Sequence, residues 1–131
     1  MTMNDLERYI EAHITPEDEL LRELDRETHL SVVQPRMLSG HMQGRLLEML
    51  VRMLAPKRIL EIGTFTGYSA ICMARGLPAD GELHTIEVDD ELEAIAARYF
   101  ARSGLGDRIF AHIGSALDLA PALGLFDLIF I

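Results

Sequence analysis

Arg58-Ile-Leu-Glu-Ile-Gly-Thr-Phe-Thr-Gly-Tyr-Ser69 decides how the rest of the chain is read. Ile59, Leu60 and Ile62 form a short apolar run of strand type, and Ala70, Ile71, Met73 and Ala74 begin a helical pattern behind it. Between the two lie Glu61, Gly63 and Gly67, spaced E-x-G-x-x-x-G. A strand that turns sharply into a helix needs Gly63 where a side chain would collide with the turn or a ligand. The following helix offers free N–H groups beside that turn. Glu61 puts a carboxylate at the carboxyl end of the strand, where open α/β sheets bind ligands. The Gly-Lys-Ser/Thr ending of a phosphate loop is absent. An acid beside a glycine turn instead suits a ligand bearing an amine or another positive centre.

Leu60-Glu-Ile-Gly-Thr-Phe-Thr-Gly-Tyr-Ser69 resembles the first motif of S-adenosylmethionine-dependent O-methyltransferases of the catechol and caffeoyl-CoA type. The Gly-Tyr-Ser ending sets that family apart within class I methyltransferases. Met37-Leu-Ser-Gly-His-Met-Gln-Gly-Arg-Leu-Leu47 is similar to the segment that precedes the motif. The resemblance implies that Met37, Leu38 and Ser39 meet the methionine portion of the cofactor, with Gly44 allowing close helix packing. It also implies that Glu61 holds the methionine end and that Gly63, Thr64, Phe65, Gly67, Tyr68 and Ser69 shape the turn. Gly114-Ser115-Ala116 resembles the small-residue step that packs on adenine.

Glu82-Leu-His-Thr-Ile-Glu-Val88 alternates and carries β-branched residues, so a second strand is expected there. Glu87 closes it, twenty residues beyond Gly67. An acid at about that distance accepts hydrogen bonds from ribose hydroxyls in dinucleotide-binding folds, and adenosine makes the same demand. Val88 follows at the same strand end. Further strands are expected at 108–113 and 126–131, the last read as buried on both faces because it is almost continuously apolar. The fold predicted is a Rossmann-like, doubly wound α/β parallel sheet over 31–131. Its strand order is third, second, first, fourth, behind N-terminal helices in 1–30.

Those helices have their own signals. Asn4 is placed to cap a helix over 4–14, and Thr15-Pro16-Glu17-Asp18 reads as the start of another that runs to about Thr28. Ser39 is placed to cap a helix over about 40–54 with Leu46, Leu47, Leu50, Val51, Met53 and Leu54 as its core set. Asp89 or Asp90 caps a helix carrying Leu92, Ile95, Ala96, Tyr99 and Phe100, which Gly104 ends. A short helix over 116–123 is interrupted by Pro121. His13 and His29 lack neighbours at metal-ligand spacing, and His112, inside a strand, is read as structural.

The 131 residues amount to one domain, with 49% hydrophobic and 25% charged residues. No apolar run approaches a membrane span, and the start lacks the order of a signal peptide. The single cysteine, Cys72, excludes an internal disulfide and fits a reducing, cytoplasmic setting. A net charge of −9 argues against unaided binding to nucleic acid.

The resemblance implies methyl transfer from S-adenosylmethionine to a hydroxyl of a small aromatic, catechol-like substrate. A divalent metal such as Mg would assist it. Some bacterial members of the resembled family methylate hydroxylated uridine in transfer RNA. A non-catalytic adenosine-binding module stands as the alternative, and a dehydrogenase is disfavoured because G-x-G-x-x-G is absent. In the resembled family the fourth strand leads on to metal ligands, and none of these occurs in this sequence. The expectation is therefore a shortened chain or one stretch of a longer protein. A true 131-residue polypeptide would be inactive and prone to pair with itself along its last strand.

Overall fold

The computed structural model describes residues 4–131. The start of the chain, read above as no signal peptide, lies in part outside the described residues. Asn4 caps α1 (Asp5–His13) in a reciprocal box with Glu7, at 2.8 and 2.9 Å. Helix α1 buries none of its residues; Tyr9 stacks on His13 instead.

Helix α2 (Glu19–Ser31) begins later than Thr15-Pro16 suggests. Asp18 is the cap, its carboxylate accepting the Leu21 N–H at 2.9 Å and also pairing with Arg75 at 2.5 Å. That second, long-range contact is what the local sequence could not show. Helix α3 (Gly40–Leu54) follows a short 3-10 turn, Pro35–Met37. Ser39 precedes α3 in helical geometry and makes no capping bond. Only Gly44, Leu47 and Val51 of α3 are buried, whereas Leu46, Leu50, Met53 and Leu54 of the expected core set are exposed.

Strand β1 (Arg58–Ile62) runs into α4 (Tyr68–Arg75), and β2 (Glu82–Glu87) leads through a 3-10 turn to α5 (Glu93–Arg102). Asp89 caps that turn by accepting the Glu91 N–H at 3.0 Å. Then come β3 (Ile109–Ile113), the one-turn α6 (Ala116–Leu119) with a 3-10 extension to Leu123, and β4 (Leu128–Phe130). The sheet is parallel in the order β3-β2-β1-β4, as the sequence predicts. Ile59 pairs with Leu83 and Leu128, and Leu83 pairs with Ile109, so one row of apolar side chains crosses the sheet.

That row joins the main core with Leu21, Leu24, Leu47, Val51, Ile71, Met73, Ile95 and Phe100. Each large side chain fully buried there contributes about 1.5–3 kcal/mol relative to exposure. Gly44 sets the spacing of α3 on α4: a Cβ there would stand 2.6 Å from Cys72 Sγ and 2.9 Å from the Tyr68 ring. The opposite face carries His84, which stacks on Phe110 and His112. Strand β4 departs from expectation. It is three residues long, pairs only with β1, and leaves Ile129 and Ile131 exposed, because nothing among the described residues covers its outer face or edge. No helix of the described residues is long and apolar enough to cross a membrane.

Candidate functional site

Sheet order places the turn after β1 beside the carboxyl end of β2, the topological switch point of the fold. Both N–H groups that follow β1 reach across: Gly63 and Thr64 donate to the Ile86 carbonyl at 2.8 and 3.3 Å. The chain then closes a tight turn, with Gly67 N–H donating to the Thr64 carbonyl at 3.0 Å. Gly63 and Gly67 have φ of +99° and +100°, which glycine alone adopts without strain. A Cβ on Gly63 would meet nothing within 4 Å, so φ and the open side, not a clash within the chain, require glycine there. At Gly67 a Cβ would strike the Phe100 ring at 2.6 Å, so that glycine faces the core rather than the ligand side.

Glu87 ties the turns together. One carboxylate oxygen accepts the Phe65 N–H at 2.8 Å and the other accepts the Asp89 N–H at 3.0 Å. Its backbone carbonyl accepts the Gly114 N–H at 2.9 Å. Phe65 has φ +51°, a left-handed conformation for a residue with a side chain, held in place by that bond.

Three hollows open at this edge; one of about 80 Å³ lies against Thr64, Phe65, Glu87 and Ile113, and the other two are larger. The smaller of those two, about 200 Å³, is walled by Met37, Leu38, Ser39, Gly63, Thr64, Phe65, Tyr68 and Ser69, together with Gln43, Ile62, Phe130 and Ile131. The larger, about 590 Å³, shares Met37 and Phe65 with it and includes Glu87, Asp89, Val32, Val33 and Gln34. Most of the residues expected at the site therefore do converge. Val88 stands exposed at the end of β2, and Gly114, Ser115 and Ala116 lie outside these two hollows, joined to them through the Glu87 carbonyl. Sequence reading missed Gln43, four residues after Ser39 and hence on the same face of α3, and the Val32–Gln34 segment, which carries no motif.

Glu61 differs from expectation. Its side chain has no exposed surface and lies beneath the turn, not against the hollow. Ser69 Oγ donates to one oxygen, and Thr85 Oγ1 donates to the other at 2.8 Å. Thr64 and Thr85 hydroxyls meet at 2.6 Å, extending the network. Burial pushes the Glu61 carboxyl up to about 7 against the opposing pull of those hydroxyls, and the Glu87 charge adds to the rise. Glu61 therefore bears on the hollow only through Ser69, a residue of its wall whose hydroxyl donates inward to the carboxylate.

A parallel sheet in the order β3-β2-β1-β4, with a glycine turn and open hollows at its switch point, is a Rossmann-like α/β fold. Residues 11–131 match the family model described as O-methyltransferase, and the chain belongs to that family. A catechol O-methyltransferase of Niastella koreensis is 43% identical over 94 residues, 68% of this chain and 42% of that protein. The O-methyltransferase TomG of Streptomyces achromogenes, involved in tomaymycin synthesis and solved with S-adenosylmethionine, superposes with a TM-score of 0.85. It is 36% identical over 96% of this chain and 58% of its own. An O-methyltransferase of Bacillus cereus solved with S-adenosylhomocysteine gives a TM-score of 0.85 at 31% identity, over 96% and 59%. The chain thus spans about half the length of the relatives it matches.

Proposed function

We propose that the protein transfers a methyl group from S-adenosylmethionine to a hydroxyl of a small, catechol-like aromatic compound. The observation that carries the cofactor part is the Glu87 carboxylate, fixed by two backbone amides beside an open glycine turn. Each of its oxygens keeps lone-pair directions free after taking one amide, so the pair can accept both hydroxyls of a ribose. Gly63 leaves the space a Cβ would fill, and the hollow of about 200 Å³ offers Ser39 as a polar group for an amino-acid moiety. Gly114 to Ala116 bring small residues toward the adenine side. When bound, S-adenosylmethionine supplies an electrophilic methyl group on sulfur. The chain's own contribution is positional: it holds the donor in one orientation so that an acceptor oxygen meets the methyl in line.

Metal assistance is part of this proposal for the whole protein. Among the described residues no three His, Cys, Asp or Glu side chains are grouped to hold an ion, so the residues present do not fit a metal and no step runs through one. Self-association is proposed on the exposed apolar residues Met53 and Leu54 of α3. Sedimentation should show a species larger than a monomer, and a monodisperse monomer at micromolar concentration would refute it.

Calorimetry with S-adenosylhomocysteine and with NAD is expected to show binding of the first only. NAD binding of comparable strength would overturn the methyltransferase reading. Cofactor binding without methyl transfer to any catechol by the whole protein would favour a non-catalytic module.

A further inference from the structure

Helix α2 carries none of the sequence motifs, yet it touches the ligand turn at its centre. Thr28 and Thr66 lie 38 residues apart, neither with any exposed surface, and their hydroxyl oxygens meet at 3.0 Å. Thr28 donates its one proton to the Leu24 carbonyl of its own helix at 2.7 Å. The hydrogen between the two threonines must therefore come from Thr66. Thr66 sits within the turn closed by Gly67 and Thr64, next to Phe65 in its left-handed conformation. That conformation persists only where its surroundings fix it. Glu87 fixes it from the β2 side, and Thr28 is the matching anchor from the helix side.

Around this buried pair, α2 and its entry are clasped at the rim. Glu17 accepts from the Tyr68 hydroxyl, Asp18 pairs with Arg75, and Glu23 pairs with Arg102 at 2.6 Å. Directly after α2 the chain supplies Val32 and Met37 to the larger hollow. One helix thus seats both the turn and the wall opposite it.

We propose that Thr28 is a positioning residue: its hydroxyl holds Thr66, and through it the Thr64–Gly67 turn, in the conformation that receives the cofactor. This rests on the reading of the site given under Proposed function. Thr28→Val keeps the side-chain shape and removes the acceptor, which leaves the Thr66 proton unpartnered in a buried place. Affinity for S-adenosylhomocysteine, measured by calorimetry on the folded protein, is expected to fall at least tenfold. Thr28→Ser should stay within twofold of wild type. Thr66→Val should reproduce the loss, and the double Val variant should add little to either single one. Arg102→Ala, which breaks a rim pair of the same helix, should lower the melting temperature but leave affinity within twofold.

A second readout does not depend on the ligand. Hydrogen exchange at the Phe65 and Gly67 amides should quicken at least tenfold in Thr28→Val, while the Ile109 amide stays at its wild-type rate. A Thr28→Val protein that melts earlier but keeps both its affinity and those exchange rates would overturn the proposal. So would equal losses of affinity in Thr28→Val and Arg102→Ala. Failure of the wild type to bind S-adenosylhomocysteine would instead refute the cofactor reading, with the exchange rates still deciding the role of Thr28. Should Thr28→Val not fold, Thr66→Val and Thr28→Ser test the same bond.

Discussion

The Glu87→Ala protein is expected to remain folded and to bind S-adenosylhomocysteine at least a hundredfold more weakly than wild type. Two losses combine. The ribose hydroxyls lose a charged acceptor, and hydrogen bonds to charged groups contribute about 1.5–3 kcal/mol each. The Phe65 amide also loses its 2.8 Å partner, so the left-handed residue at the heart of the turn is released. A hundredfold change corresponds to about 2.7 kcal/mol, less than the sum of these effects. The fold should survive because the side chain stands at a strand end, and the Gly114 bond goes to the backbone carbonyl, which the substitution leaves in place. Glu87→Gln keeps an acceptor for Phe65 but no charge, and should fall between the two. Calorimetry on all three proteins tests this; undiminished affinity in Glu87→Ala would make Glu87 a clasp for the turns and nothing more.

The second large effect is on stability against pH. Burial raises the Glu61 carboxyl from an ordinary 4.5 to about 7 in the folded chain. Between those values the folded state holds a proton that the unfolded state has released. Stability from this group is therefore complete below about 4.5 and is lost as pH rises through about 7. The full loss amounts to roughly 3 kcal/mol. In Glu61→Gln the amide oxygen can accept from Thr85 while its NH₂ faces Ser69, so the neutral form is preserved at every pH. Urea denaturation from pH 4.5 to 8 should give a wild-type stability that declines relative to the Gln variant, which itself lacks this contribution. Every other titrating group is common to both proteins and cancels in the difference. Parallel curves would show that Glu61 ionises as freely folded as unfolded.

Much of this architecture was legible because parallel strands buried on both sides announce themselves as short apolar runs. Arg58–Ile62 carries its own limits, with a helix breaker before it and a glycine after it, and the order of strands follows from handedness. The candidate site, as a set of residues that meet at one sheet edge, was legible in the turn and in Glu87, whose place at a strand end is set by spacing. Glu61 could have been read further. It lies two residues from Ile59, hence on the same face of β1, and that face is the one the helices cover. Asp18 in place of Thr15 as a cap, and the exposure of Leu46 and Met53, depend on what packs against α2 and α3 from afar. The left-handed φ of Phe65 and of Gln34 had no signal, because neither residue type favours it and only their surroundings impose it. The run 126–131 reads as apolar and its edge as open, and both hold; its burial on both faces does not, because an apolar run states what a segment can bury, not whether a cover is present.

The close seam between α3 and α4 has a practical side. Cys72 Sγ sits where Gly44 leaves no room for a methyl group, and burial pushes its thiol up to about 12. A thiol so shielded and so weakly ionised reacts with a disulfide reagent only when the two helices part. With one cysteine in the sequence, the labelling rate of the unaltered protein counts those openings directly. The seam thus carries its own clock, and no probe has to be engineered into the chain to read how often its central helices breathe.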